Sequence, residues 1–376
     1  MIIETPQGTW TPKVTLDHDA GTDQTRAQSP AQSPCPHEKV AKMVAHSTEP
    51  PSDTENYEAP GTRLFDNPVL YDNIFGWDAS EELDFITSTT NTDRLIEFGC
   101  GSGRVLLPLL ERGYQVDGID SSSDALTHLS EAAAERKTKH TPRLILGDLT
   151  EVALLPTYPG AFSALNTVRC LPTPELVAAH LRRAAMSVTT GGKYLIHLDS
   201  FGADLTERPQ PGEYGEWEGF GNPTENPEYQ NITVRWELAK REPRDGYDLE
   251  TERVRVWNGE ELIVDELLLQ LSLSITGWHN LFTAEGLWTV HSVVDEDEFQ
   301  PLDAQQQRTA ESGNYWFILE RTDRAVLPLY SALTPAVGGH LVDAHPPQLV
   351  SGLFGRWFSS FLRRRCSRRQ PGSRRP

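Results

Sequence analysis

Arg94-Leu95-Ile96-Glu97-Phe98-Gly99-Cys100-Gly101-Ser102-Gly103-Arg104-Val105 is followed a short way on by Val116-Asp117-Gly118-Ile119-Asp120. A short apolar run, a glycine-rich turn, an amphipathic stretch and a second apolar run ending in an acid read as strand, turn, helix, strand. This is half of a nucleotide-binding α/β unit. Residues without a Cβ turn sharply off a strand and let a ribose approach the backbone. Asp120 stands where an acid would take the ribose hydroxyls.

The glycines alone leave two ligands open, a nicotinamide dinucleotide and S-adenosylmethionine. A dinucleotide fingerprint carries a third glycine three residues after the second, so that the helix packs closely with its N-terminus on a pyrophosphate. Position 104 is Arg. The glycines instead alternate at Gly99, Gly101 and Gly103, with Glu97 before them inside the first strand. S-adenosylmethionine has no phosphate, but its amino-acid end has an ammonium that needs carboxylate or carbonyl partners. Glu97 is a candidate to organise that end, directly or through the loop.

With these residues the chain resembles the class I S-adenosylmethionine-dependent methyltransferases of small-molecule type. Glu97 to Gly103 looks like their first motif and Gly118-Ile119-Asp120-Ser121-Ser122 like their second. Leu146-Gly147-Asp148-Leu149 ends a third apolar run, where the family places an acid that contacts the adenine amino group. Ser187 to Ile196, with Gly191-Gly192, resembles the helix, glycine pair and fifth strand. The resemblance runs from about Tyr71 to Arg321. It implies a doubly wound, mostly parallel seven-stranded α/β sheet and a cofactor site made by Glu97, Gly99, Gly101, Gly103, Asp120, Asp148 and Leu149.

Strands are expected near 94–99, 115–120, 143–147, 162–168 and 193–199, separated by helices near 102–112, 123–137 and 174–188, an alternation that implies right-handed crossovers. Leu64 to Ser88 reads as a leading segment and helix, which in the family often covers the cofactor. After a Gly/Pro/Glu-rich loop over 201–228, apolar residues alternate at Ile232, Val234, Trp236 and Leu238, and Asn258-Gly259 reads as a hairpin turn. Residues 229–275 therefore form an antiparallel insertion beside the mouth of the site. A helix over Trp278–Gly286 and strands over Trp288–Val294 and Tyr315–Glu320 complete the expected domain, 61–325.

The flanks differ in composition. Residues 1–60 are rich in Pro, Ser, Thr, Gln and acids and poor in large apolar side chains, a composition expected to be disordered. In 326–376 a linker leads to apolar residues at 349, 350, 353, 354, 357, 358, 361 and 362 and to eight arginines after position 350. As a helix this tail is amphipathic and suited to peripheral contact with an anionic membrane, or to docking on a partner or on the domain itself. The chain carries a net charge of −20, which argues against general attraction to nucleic acid. Four cysteines without paired or metal-type spacing fit a reducing cytosol, and no secretory signal or bilayer-length apolar stretch is seen.

The acceptor side is read from strand ends. The fourth strand is expected to end in Leu165-Asn166-Thr167-Val168-Arg169-Cys170-Leu171, where Asn166 would orient the methionine end or the acceptor and Arg169 would hold an acceptor carboxylate. A helix-capping role for both stands beside that reading. His197 and Asp199 close the fifth strand two residues apart on one face, as a base with its orienting partner or as a structural pair. Tyr71, Asp72, Tyr214 and Trp217 are candidates to line the acceptor pocket. No third metal ligand has suggestive spacing. The expected activity is methyl transfer to oxygen or nitrogen of a small molecule; the alternative is a non-catalytic cofactor-binding module acting through its tail.

Overall fold

The computed structural model describes residues 64–326 except 153, 155–157 and 222–226. The expectations for 1–60 and for the amphipathic tail fall outside the described residues. In chain order the elements are α1 (Pro68–Phe75), α2 (Ser80–Thr90), β1 (Arg94–Phe98), α3 (Leu106–Glu111), β2 (Gln115–Asp120), α4 (Ser123–Glu135), β3 (Leu144–Leu146) and β4 (Tyr158–Ser163). A 3-10 turn (Thr167–Cys170), α5 (Pro174–Ser187) and β5 (Val188–Ser200) follow. The chain continues through β6 (Tyr214–Glu218), β7 (Ile232–Pro243), β8 (Asp248–Asn258), β9 (Glu261–Ser272), α6 (Ile275–Thr283), β10 (Trp288–Asp295), α7 (Ala304–Thr309) and β11 (Gly313–Arg321).

Seven strands make one sheet in the order β10-β11-β5-β4-β1-β2-β3, and β6-β7-β8-β9 make a second, antiparallel sheet. In the first sheet β5, β4, β1, β2 and β3 run parallel and β11 is antiparallel to both neighbours. Its central strands are apolar on both faces because helices cover both. Leu95, Phe162 and Leu195 join a core with α1–α4 and the second sheet, while Ile96, Ala161 and Ile196 join the core under α5 and α6. Successive side chains on a strand point to opposite faces, which is why adjacent residues serve different cores. The sheet is thus doubly wound.

Local chemistry fixes the helix starts. Ser122 and Thr173 cap α4 and α5 through side-chain oxygens that accept from Ala125 and Leu176 N–H, each cap contributing roughly 0.5–2 kcal/mol. Four boundaries differ from the sequence reading. β4 begins at Tyr158 and ends at Ser163, because Leu165 (φ 51°) and Asn166 (φ 62°) enter the left-handed region and end the strand. α5 passes straight into β5, so Gly191-Gly192 lies inside the strand rather than in a loop before it. Helix α3 starts four residues later than expected, since the glycine turn occupies the chain up to Gly103.

The fourth difference is β6, which lies inside the stretch expected to be loop. Trp217 buries its ring beside Trp236, 6.4 Å between centroids, and donates from Nε1 to the Ile74 carbonyl at the end of α1. The segment is a strand because it pairs antiparallel with β7, Tyr214–Glu218 opposite Thr233–Glu237, and Trp217 ties it to α1. The insertion is therefore four strands, with the expected hairpin at Gly259 (φ 64°), and its inner face rests on α1. No helix among the described residues is long and apolar enough to cross a membrane.

Candidate active site

A cleft opens where β1 and β2 end. Gly99, Gly101, Ser102 and Asp120 form one wall, Phe65 and Tyr71 another, and Thr167 and Cys170 of the 3-10 turn a third. The glycine turn is held by Asp120, whose Oδ2 accepts from Gly101 N–H at 2.8 Å and whose Oδ1 accepts from Ser122 N–H at 2.9 Å. Burial raises the Asp120 carboxyl above its ordinary range and these amide donors pull it back. Each oxygen keeps acceptor capacity for a hydroxyl.

All three glycines have positive φ, at 78°, 50° and 94° for Gly99, Gly101 and Gly103. They differ in what a side chain would meet. A Cβ on Gly103 would lie 2.3 Å from Leu129 Cδ1, whereas one on Gly101 would meet nothing within 4 Å. Gly103 lets α4 pack against the turn, and Gly101 leaves the cleft open for a ligand.

The leading segment does cover this cleft. Asp72 of α1 accepts from Ser102 Oγ at 2.5 Å and pairs with His128 Nε2 of α4 at 3.1 Å. Asp72 is thus a latch across the cleft; Tyr71 lines it, while Trp217 is core and Tyr214 carries Arg235, whose Cζ lies 4.3 Å from the ring centroid. The hydrogen bond to Asp72 raises His128 above the usual histidine range against the opposing effect of burial.

The remaining cofactor candidates, Glu97, Asp148 and Leu149, do not line the cleft. Glu97 is buried beneath the turn, and burial pushes its carboxyl well up despite Arg104 nearby. Its Oε2 has no hydrogen-bond partner among the described residues. Asp148 Oδ1 accepts from the N–H and the hydroxyl of Thr150, and the Leu149 carbonyl meets His180 Nδ1. The open face at Gly101, the spare acceptors of Asp120 and the orphan oxygen of Glu97 fit a nucleoside with a charged amino-acid end.

A second, narrower cavity lies on the other side of the 3-10 turn, lined by Arg169, Asp199, Arg208, Arg241, Glu250 and Glu252 among others. Asn166, Arg169, His197 and Asp199, the strand-end residues expected on the acceptor side, separate here. Arg169 bonds Glu250 at 2.8 Å and the Leu271 carbonyl at 3.1 Å, with Glu252 at 3.6 Å. Its guanidinium is thus committed to the chain's own oxygens. Asn166 is buried, accepting from the Asp199 N–H and donating to Asn314 Oδ1 at 3.4 Å.

His197 is 1% exposed and lines neither cavity. Its Nδ1 accepts from Leu165 N–H at 3.1 Å, its Nε2 faces Glu296 at 3.2 Å, and its ring lies 4.8 Å from that of Trp316. Asp199 does line the second cavity. Burial raises its carboxyl to about 6, Arg169 opposing, and burial likewise raises Glu252 to about 8.

Glu250, Glu252, Arg208 and Arg241 were not singled out in the sequence. A signal for two of them was present: on β8 the acids at 250 and 252 share the face of Val254 and Val256, both fully buried. Acids in phase with core residues mark a buried polar site. Among the described residues no group of three or more His, Cys, Asp or Glu is arranged to hold a metal ion.

Residues 95–192 match the methyltransferase domain family. No curated relative matches the sequence. In fold the chain is similar to an S-adenosylmethionine-dependent methyltransferase from Clostridium acetobutylicum ATCC 824, 13% identical with a TM-score of 0.50, covering 68% of this chain and 97% of that one. It is also similar to the CcbJ methyltransferase from Streptomyces caelestis, 18% identical with a TM-score of 0.49, covering 65% and 95%. CalS10, an amino pentose methyltransferase from Micromonospora echinaspora, is 16% identical with a TM-score of 0.48, covering 71% and 100%. The family match gives the class and the structural likeness the fold: the chain carries a class I methyltransferase domain and is an enzyme that uses S-adenosylmethionine.

Proposed function

We propose that the enzyme methylates an amine nitrogen or a hydroxyl oxygen of a small molecule held at the ends of β4 and β5, with Asp199 as proton acceptor. The observation that carries this is the second cavity, where Asp199 lines the wall, its carboxyl raised to about 6, one turn of helix away from the cofactor cleft. When bound, S-adenosylmethionine supplies an electrophilic methyl on a sulfonium. Asp120 and the glycine turn hold the nucleoside, and Asp72 latches α1 over it. A hydroxyl or ammonium acceptor must lose a proton as the new bond forms, and Asp199 is the carboxylate placed to receive it. Arg169, buried between Glu250 and Glu252, fixes the charged wall rather than binding the acceptor.

Of the two acceptors an amine suits the site better, since a cation is drawn to Asp199 and its proton then has a destination. Incubating the enzyme with S-adenosylmethionine and a metabolite library, and identifying the methylated product by mass spectrometry, tests the reading. With that acceptor, kcat/KM should fall as pH drops below about 6, where Asp199 becomes protonated. Asp199→Asn should lower kcat and abolish this acid limb; an unchanged pH profile in the variant refutes Asp199 as the base. Contact of residues 349–376 with an anionic membrane is a separate proposal, refuted by equal vesicle flotation of the full chain and a chain ending at 348.

A further inference from the structure

His197 lines neither cavity, yet it holds a strained turn that leads into the wall between them. Leu165 (φ 51°) and Asn166 (φ 62°) are the only consecutive non-glycine residues in the left-handed region among the described residues. Asparagine tolerates that region, whereas leucine enters it only where the surrounding structure over-determines its backbone. Residues held in this way cluster at active sites and ligand clamps.

One residue supplies the hold. β4 last pairs with β5 at Ser163 opposite Ile196, so Leu165 and Asn166 lie beyond the ladder. Buried N–H groups nearly always find a partner, and without the ladder these two need another. His197, next after Ile196, provides both acceptors. Its Nδ1 accepts from Leu165 N–H at 3.1 Å and its carbonyl from Asn166 N–H at 3.2 Å. Because Nδ1 accepts, the ring hydrogen is on Nε2, the nitrogen that faces Glu296 Oε2 at 3.2 Å. The Trp316 ring lies against the imidazole, 4.8 Å between centroids. These contacts fix the imidazole with its acceptor aimed at Leu165.

What the turn holds in place is the wall of the cofactor cleft. Straight after Asn166 the chain enters the 3-10 turn, whose Thr167 and Cys170 line the cleft. Thr167 stands against the glycine turn itself, for a Cβ on Gly99 would lie 2.3 Å from Thr167 Cγ2. Were Leu165 to relax to an ordinary backbone angle, the chain would leave β4 in another direction and Thr167 would part from Gly99.

We propose that His197 is a positioning residue for the methyl donor: through Nδ1 it holds Leu165 in the left-handed turn that sets Thr167 against Gly99 and completes the wall of the cleft. It neither touches the donor nor moves a proton. The proposal rests on the cleft as the donor site and is independent of Asp199 as the base.

Two amides at position 197 separate this role from that of a brace. In His197→Asn the amide oxygen can stand where Nδ1 stood and accept from Leu165. In His197→Gln the longer amide reaches the place of Nε2 and leaves the Leu165 N–H without its acceptor. Calorimetry of the full chain with S-adenosylhomocysteine reads the difference, and thermal melts record the stability of each variant. His197→Gln should bind about 3- to 10-fold more weakly than wild type, the worth of one hydrogen bond that binding must restore, and His197→Asn should stay within about twofold. Equal affinities in the two variants, whatever their stabilities, or a weaker His197→Asn overturn the proposal and leave His197 a brace between β5 and Glu296. Unmodified protein provides an arm that no misfolded variant can spoil. Hydrogen exchange at the Leu165 and Asn166 amides should slow at least about threefold when S-adenosylhomocysteine binds, since a ligand suppresses opening of the wall it rests on. Unchanged exchange there, with binding established by calorimetry, also overturns the proposal. Wild-type protein that does not bind S-adenosylhomocysteine refutes the donor site itself.

Discussion

Alanine placed at Gly101 and at Gly103 separates the two tasks of the glycine turn. At Gly103, φ is 94° and the added Cβ would stand 2.3 Å from Leu129 Cδ1 and 3.0 Å from Leu107 Cγ. The left-handed backbone costs about 1–2 kcal/mol for a residue with a Cβ, and forcing a methyl into packed core costs about 1–3 kcal/mol more. Gly103→Ala should therefore lose about 2–5 kcal/mol, a large share of the roughly 5–15 kcal/mol that holds a domain folded. Gly101 has φ 50° and open space around its Cβ position, so only the backbone cost applies. Its new methyl would instead project toward the cleft, where a misfit of about 1–3 kcal/mol weakens the ligand about 5- to 150-fold.

Gly191 in β5 supplies the control, with φ 75° and nothing within 4 Å of its Cβ position, away from both cavities. Urea unfolding and calorimetry with S-adenosylhomocysteine read the two effects. The expected pattern is a stability loss for Gly103→Ala well beyond that of Gly191→Ala, and an affinity loss for Gly101→Ala beyond any in Gly191→Ala. Equal unfolding midpoints for the Gly101 and Gly103 variants, or wild-type affinity in Gly101→Ala, would refute the division.

Three further substitutions probe the cleft and its neighbour. Asp120→Ala removes the acceptor of two backbone N–H groups and should weaken S-adenosylhomocysteine at least about tenfold, measured by calorimetry; a twofold change or less defeats its assigned role. His128→Gln tests the latch. Because the folded pKa of His128 is raised, its pairing with Asp72 stabilises the protein fully below the ordinary histidine value and fades as pH rises through the raised one. The stability gap between wild type and variant, from thermal melts, should be widest on the acid side and shrink toward alkaline pH; a gap that grows with pH contradicts this. Arg169→Met removes one buried cation but leaves Glu250 with Arg208 and Arg241 and Glu252 with the Trp236 indole N–H, so the loss should stay below the roughly 3–5 kcal/mol of a fully uncompensated buried charge. Denaturant melts should show that loss, whereas unchanged stability with a raised KM would return Arg169 to the acceptor.

The local pattern carried most of the first sheet. Glu97 and the alternate glycines fall in one short window, and Asp120 ends the next strand, so the residues proposed to hold the nucleoside lie within one strand-turn-helix-strand unit. What the sequence did not disclose depends on contacts far along the chain. β6 forms by pairing with β7 and is tied to α1 through Trp217 and Ile74, and the Asp72 latch forms because α1 meets Ser102 and His128. Arg169 carries a charge that suggests a ligand, but its partners Glu250 and Glu252 lie about eighty residues away on the insertion. A buried cation's partners are set by tertiary packing, and no periodicity announces them.

His197 and Asp199 show the same limit within one strand. Alternation puts both on one face of β5, and from the sequence alone His197 is the more obvious base. What divides them is how far the neighbouring strand extends. β4 pairs with β5 only as far as Ser163 opposite Ile196, after which the chain turns at Leu165 and Asn166. His197 lies at the turn, its Nδ1 taken by the Leu165 N–H. Asp199, two residues further on, has passed the end of β4 and borders the cavity. Ligands in open α/β sheets bind beyond the carboxyl ends of strands. The candidate base is accordingly the first titratable side chain on that face of β5 that outruns its neighbour, and that residue is Asp199.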